Sequence, residues 1–163
     1  MEHKMRRSKQ QLSAEAINAI LAHGTSGVLA LFGEDGYPYA VPLSYVYEKE
    51  NRRFLFHAST RGHKIEAMRH CAKASFCIVD QDHVVPEEYT TYFRSVIAFG
   101  TLHFITEEAE KRAAIEALAK RYAPDNTEER MEQSISGSWK VLQMIELKIE
   151  RMTGKQAIEL VER

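Results

Sequence analysis

Apolar positions along this chain follow two rhythms, one helical and one alternating. Behind Ser13, a residue suited to cap a helix, Ile17, Ile20 and Leu21 recur at helical spacing, and Gly24 closes the segment. The stretch SGVLALFGEDGYPYAVPLSYVY then reads as two strands joined by Glu34-Asp35-Gly36. In the second of these, Tyr39, Val41, Leu43, Tyr45 and Tyr47 share one face and Ala40, Pro42 and Ser44 the other. Pro42 has no N–H to give a ladder, so its strand is locally an edge, a bulge or beside a ligand. The tyrosine-rich face is more apolar surface than a small barrel readily encloses, which points to a second copy of the chain.

The polar stretch EKENRR turns the chain into FLFHAS, a further strand, and a helix is expected from about Arg61 to His70. KASFCIVD reads as a strand, and TTYFRSVIAFGTLHFI as one long strand bent or bulged at Gly100. Thr106 is placed to cap a helix whose first turn holds Glu107, Glu108 and Glu110 and whose last holds Lys120 and Arg121, with Pro124 ending it. TEERMEQS suggests another helical turn or two. In WKVLQMIELKIE the alternation sets Trp139, Val141, Ile145, Leu147 and Ile149 on one side of a final strand. The order is helix, three strands, helix, two strands, helix, final strand. Short loops join most neighbours, so the expected architecture is mainly β with flanking helices: six antiparallel strands in a small barrel.

The chain has 163 residues, a length suited to one domain covering 1–163. Its net charge of −1 removes the global basic field expected of a nucleic-acid binder. The N-terminal MEHKMRRSKQ is basic but leads into no apolar segment, and no apolar run nears the roughly 18 residues of a membrane span. Cys71 and Cys77 are the only cysteines and form no CxxC, so reduced thiols in the cytoplasm are expected.

The chemistry concentrates in FLFHASTRGHKIEAMRH, where a strand gives way to a helix through histidines, hydroxyls, a glycine and cations. A metal reading would draw on His57, His63 and His70, but the last two stand two helical turns apart, too far for one ion. A nucleic-acid reading would draw on Arg61, Lys64, Arg69 and Lys73, and Glu66 interrupts them. A phosphate fits better. Ser59 and Thr60 are expected at the helix N-cap, Gly62 lets the backbone come close, and Lys64 adds a point charge. Plain helix capping with solvated cations is the competing explanation on these residues alone.

Three stretches taken in order, DGYPYAVPLSYVY, FLFHASTRGHK and SVIAFG, resemble the FMN-binding split-barrel superfamily of pyridoxamine 5′-phosphate oxidase. Within it the similarity runs to nitroimidazole-resistance and related flavin-nucleotide-binding proteins, over about residues 12–155. The resemblance implies a six-stranded antiparallel split β-barrel, an FMN cofactor and a homodimer with flavin sites at the interface. It implies that His57, Ala58, Ser59, Gly62, His63 and Lys64 hold the phosphate, with Val41, Pro42, Leu43 and Ser44 beside the flavin ring. It further implies a contact from Ser95 of the partner subunit's long strand. Trp139 is implied at the ring edge or ribityl chain, or is an ordinary core or interface aromatic. Ala40 and Tyr45 stand where pyridoxamine phosphate oxidases carry Arg and Lys, and the C-terminal substrate signature is missing, so vitamin B6 oxidation is not expected. The implied activity passes electrons from reduced nicotinamide to a small acceptor such as a nitroaromatic, with His63 the candidate catalytic residue. A non-catalytic flavin sensor and a haem-handling protein are the alternatives. No partner nucleic acid, membrane or metal is expected.

Overall fold

The computed structural model describes residues 5–161. Its strands are β1 (Ser26–Phe32), β2 (Pro38–Ser44), β3 (Val46–Glu48), β4 (Arg53–Ser59), β5 (Lys73–Val85), β6 (Thr90–Ile105) and β7 (Leu142–Gln156). Its helices are α1 (Ala14–His23), α2 (His63–His70), α3 (Glu108–Tyr122) and α4 (Glu128–Ser138). All seven strands join one antiparallel sheet in the order β2-β1-β5-β6-β7-β4-β3. The two ends of that order, β2 and β3, are separated in the chain by Tyr45 alone. A sheet whose edges are one residue apart must curl until they meet, and the result is a split barrel.

The strand expected to run unbroken from Tyr39 to Tyr47 therefore breaks at Tyr45, which gives seven strands where six were expected. Tyr45 is 1% exposed, its hydroxyl donates to the carbonyl of Leu21 (3.0 Å), and burial pushes its phenol up to about 12. Its backbone is held by Tyr122 at the end of α3. The Tyr122 hydroxyl accepts from the Tyr45 N–H (3.1 Å) and gives its single proton to the carbonyl of Tyr45 (2.5 Å) or Thr25 (2.7 Å). Gly24 is needed beside this corner, because a Cβ there would collide with the Tyr45 hydroxyl.

The tyrosine-rich face turns inward. Tyr39, Val41, Leu43 and Tyr47 pack against the barrel core around Phe54, Phe56 and Phe76, so they are not the surplus apolar surface that the pattern suggested. β4 is buried on both sides: Phe54 and Phe56 point into the barrel, while Leu55 belongs to a second cluster with Ala114 and Leu118 of α3. The remaining outer face, formed by β2, β1, β5 and β6, places Pro42, Val28, Cys77 and Ile97 in one cross-strand row.

Local signals held in several places. The Ser13 side chain caps α1 at the Ala16 amide (3.2 Å), and Ile17, Ile20 and Leu21 are its buried residues. The β6–β7 register shifts between Phe99 and Gly100, where a Cβ would strike the Lys148 carbonyl. Others moved. The N-cap of α3 is Glu107, whose carboxylate accepts from the amides of Ala109 and Glu110, rather than Thr106. The final strand starts at Leu142, so Trp139 and Val141 lie outside it. α4 runs on to Ser138, whose hydroxyl donates back to the carbonyl of Ser134 (3.1 Å), and Trp139 is the helical C-cap.

Candidate flavin and substrate site

β4 ends at Ser59, paired with Leu142, and the Thr60 amide extends the match by donating to Val141 (3.0 Å). Both residues are thus committed to the sheet. The expected N-cap at Ser59 and Thr60 does not form, and α2 starts at His63 instead of Arg61. Gly62 is the N-cap. Its φ of 129° is a value L side chains rarely adopt, and a Cβ built there meets nothing within 4 Å. Glycine is required here by the turn, and the space beside the first turn of α2 is open. Among the described residues no side chain caps the helix.

His63 opens α2 with its imidazole stacked on the ring of Tyr39, centroids 4.0 Å apart and planes 25° from parallel. This contact joins the start of α2 to the edge strand β2. Lys64 follows, half-buried, and burial alone holds its amine below the ordinary lysine range. A desolvated cation one residue beyond an uncapped helix start favours an anion there.

Of the four β2 residues assigned to the flavin ring, Pro42 and Ser44 are exposed on the outer face. Val41 and Leu43 turn to the core, so only their backbone reaches that face. Of the two substitutions that set this chain apart from pyridoxamine phosphate oxidases, Ala40 lies exposed on the outer face and Tyr45 is buried in the barrel. Ser95 pairs with Val79 and Lys155 on β6, three strands from β2 in the sheet order. Trp139 packs on the cluster beneath α3, with the Lys111 ammonium over its ring (4.1 Å) and donating to its carbonyl (3.0 Å).

The proposed phosphate residues divide in two. Gly62, His63 and Lys64 stand at the head of α2, whereas His57, Ala58 and Ser59 line a cleft of about 990 Å³ together with Ser44. The far walls of that cleft come from α3 and α4, through residues such as Leu118, Arg130 and Met131. Nothing in the sequence of α3 and α4 marks them as pocket walls, because their apolar periodicity is what a plain core also produces.

The sequence profile for pyridoxamine 5′-phosphate oxidase matches residues 13–156, and the chain belongs to that family. Its fold is shared with a candidate 5-nitroimidazole antibiotic resistance protein from Bacteroides thetaiotaomicron, at 21% identity and a TM-score of 0.74, covering 90% of this chain and 86% of that one. A FAD-binding protein from Mesorhizobium loti is similar at 23% identity and a TM-score of 0.65, covering 91% and 97% of the two chains. A FAD and haem binding protein from Mycobacterium smegmatis follows at 22% identity and a TM-score of 0.70, covering 91% and 73%. No curated protein sequence matches the chain. Among the described residues no helix is long and apolar enough to cross a membrane.

Proposed function

We propose that the protein binds FMN and acts as an oxidoreductase, taking electrons from reduced nicotinamide and passing them to a small acceptor such as a nitroaromatic. The observation that carries this reading is the head of α2, where open space at Gly62, an uncapped helix start and the half-buried Lys64 amine suit one phosphate. His63, fixed against Tyr39, is the second donor there. Pro42 and Ser44 give the neighbouring strand a ligand-facing edge free of charge. FMN, when bound, supplies hydride and one-electron chemistry of its own. The chain's residues then have to anchor the phosphate, orient the ring and admit an acceptor. FMN is favoured over FAD because the chain has one phosphate cradle and no GxGxxG loop for a pyrophosphate. Ala40 and Tyr45, standing where pyridoxamine phosphate oxidases carry Arg and Lys, argue against vitamin B6 oxidation. The free thiols Cys71 and Cys77 suit a reducing, cytoplasmic setting.

The protein acts, on this reading, as a symmetric homodimer. Four of the exposed apolar residues, Val28, Phe32, Val79 and Val84, belong to β1 and β5, and the strand register puts them on the same outer face. Ser95, paired with Val79, lies on the same face, and on this reading it touches a flavin bound mainly by the other chain. Identifying the cofactor released on denaturation, then assaying turnover with reduced nicotinamide, tests the reading. Haem in place of flavin would replace it, and flavin without turnover would reduce it to a binding module.

A further inference from the structure

We infer that the cleft between α3, α4 and the ends of β4 and β7 is a separate binding site for a flat, largely apolar molecule bearing an anionic group, an aromatic carboxylate being the simplest. As the place of the electron acceptor it rests on the flavin reading above; as a binding site it does not.

Size and lining point to a small molecule. About 990 Å³ lies at the upper end of the range of small-ligand pockets, roughly 300–1,000 Å³. Leu118, Ile135 and Leu142 form a buried apolar floor. The walls are tied to one another and to the barrel. Tyr122 is locked to Tyr45 and Thr25, an ion pair joins Arg112 of α3 to Glu132 of α4, and Lys111 donates to the Trp139 carbonyl.

The charge of the ligand follows from the rim. Of its charged residues Lys120, Glu128 and Arg130, Lys120 already faces the Glu116 carboxylate (3.9 Å), which leaves the Arg130 guanidinium as the cation that can serve a ligand. Arg130 takes no part in the ion pairs found among the described residues. A guanidinium with no carboxylate of its own, above an apolar floor, suits a planar carboxylate held through two parallel hydrogen bonds. His57 and Ser59, opposite on β4, supply further polar contacts. The cleft shares Ser44 and the end of β4 with the flavin region but includes neither His63 nor Lys64, so the two sites adjoin without coinciding.

Calorimetric titration of the full chain with 4-nitrobenzoate and with uncharged nitrobenzene tests this. The carboxylate should bind at least tenfold more tightly, the scale of one charge-assisted contact. Arg130→Gln, at an exposed site, should erase that advantage. Met131→Trp, which fills the half-buried wall, should weaken both probes about tenfold. FMN affinity should be unchanged in both variants. Equal affinity for the two probes, an advantage that survives Arg130→Gln, or no binding of either probe would overturn the site. Loss of FMN binding in Met131→Trp would also overturn it, by assigning the cleft to the flavin. If the flavin reading alone fails, no variant binds FMN while the probe results stand.

Discussion

The imidazole of His63 rests on the phenol ring of Tyr39 across 4.0 Å, tying the first residue of α2 to the strand that edges the sheet. Tyr39 is itself half-buried against the core, so the barrel interior sets where His63 points. Aromatic stacking of this kind contributes about 0.5–1.5 kcal/mol, enough to hold one orientation. Tyr39→Leu should therefore weaken FMN binding two- to tenfold, and Tyr39→Phe should not. In a His63→Ala background the Tyr39→Leu effect should vanish. Additive losses in that double-mutant cycle would show that Tyr39 acts elsewhere.

Lys64→Ala should weaken FMN binding about ten- to a hundredfold, since a charge-assisted hydrogen bond contributes roughly 1.5–3 kcal/mol. The pH dependence has a definite sign. Burial holds the free Lys64 amine below the ordinary value of 10.5, so its charge is lost earlier as pH rises. FMN affinity should fall through that lowered range in the wild type and stay flat there in Lys64→Ala. Fluorescence titration of the flavin reads both.

Acid stability should depend on Arg53. Its guanidinium bonds Glu48 (2.6 Å), Glu110 (2.6 Å) and Glu146 (2.8 Å), fastening α3 to β3, β4 and β7. Removing one member of a buried ion pair costs about 3 kcal/mol, so Arg53→Ala should lower the stability by that order in a denaturant melt. Burial of Glu48 opposes its ionisation, but hydrogen bonds from Asn51 and Arg53 outweigh it and hold the carboxyl below 4.5. A carboxylate depressed on folding contributes stability above its unfolded value, lost as pH falls through the folded one. Stability should thus decline from about pH 4.5 downward, and Glu48→Gln should remove that part of the slope.

How far these features could be read in advance depended on where each residue finds its partner. The Ser13 cap and the Gly100 shift were legible because short-range rules place them. The head of α2 was legible in kind but misplaced by two to three residues. Ser59 looks like a cap from its neighbours, and only its pairing with Leu142, far along the chain, commits it to the sheet. Tyr45 matched the alternation of its strand, and nothing nearby revealed that Tyr122 would bend the backbone there. Trp139 fell into step with a strand by coincidence of period. Arg130 and Met131 carried no local signal, because the cleft exists only once α3 and α4 pack.

Dimerisation through the outer sheet face predicts linked losses. Val79→Arg should shift the protein to monomer in light scattering, and Ser95→Arg should weaken both dimer and flavin binding. Added FMN should pull the wild type toward dimer. A monomer fully loaded with flavin would refute the shared site while leaving the head of α2 intact.

The measurement closest to the central claim is identification of the cofactor that leaves the purified protein on denaturation, with its amount per chain. FMN at one per chain, regained by the apoprotein and lost in Lys64→Ala, is the expected result. Haem with its intense Soret band, or an apoprotein that takes up no FMN, would contradict it.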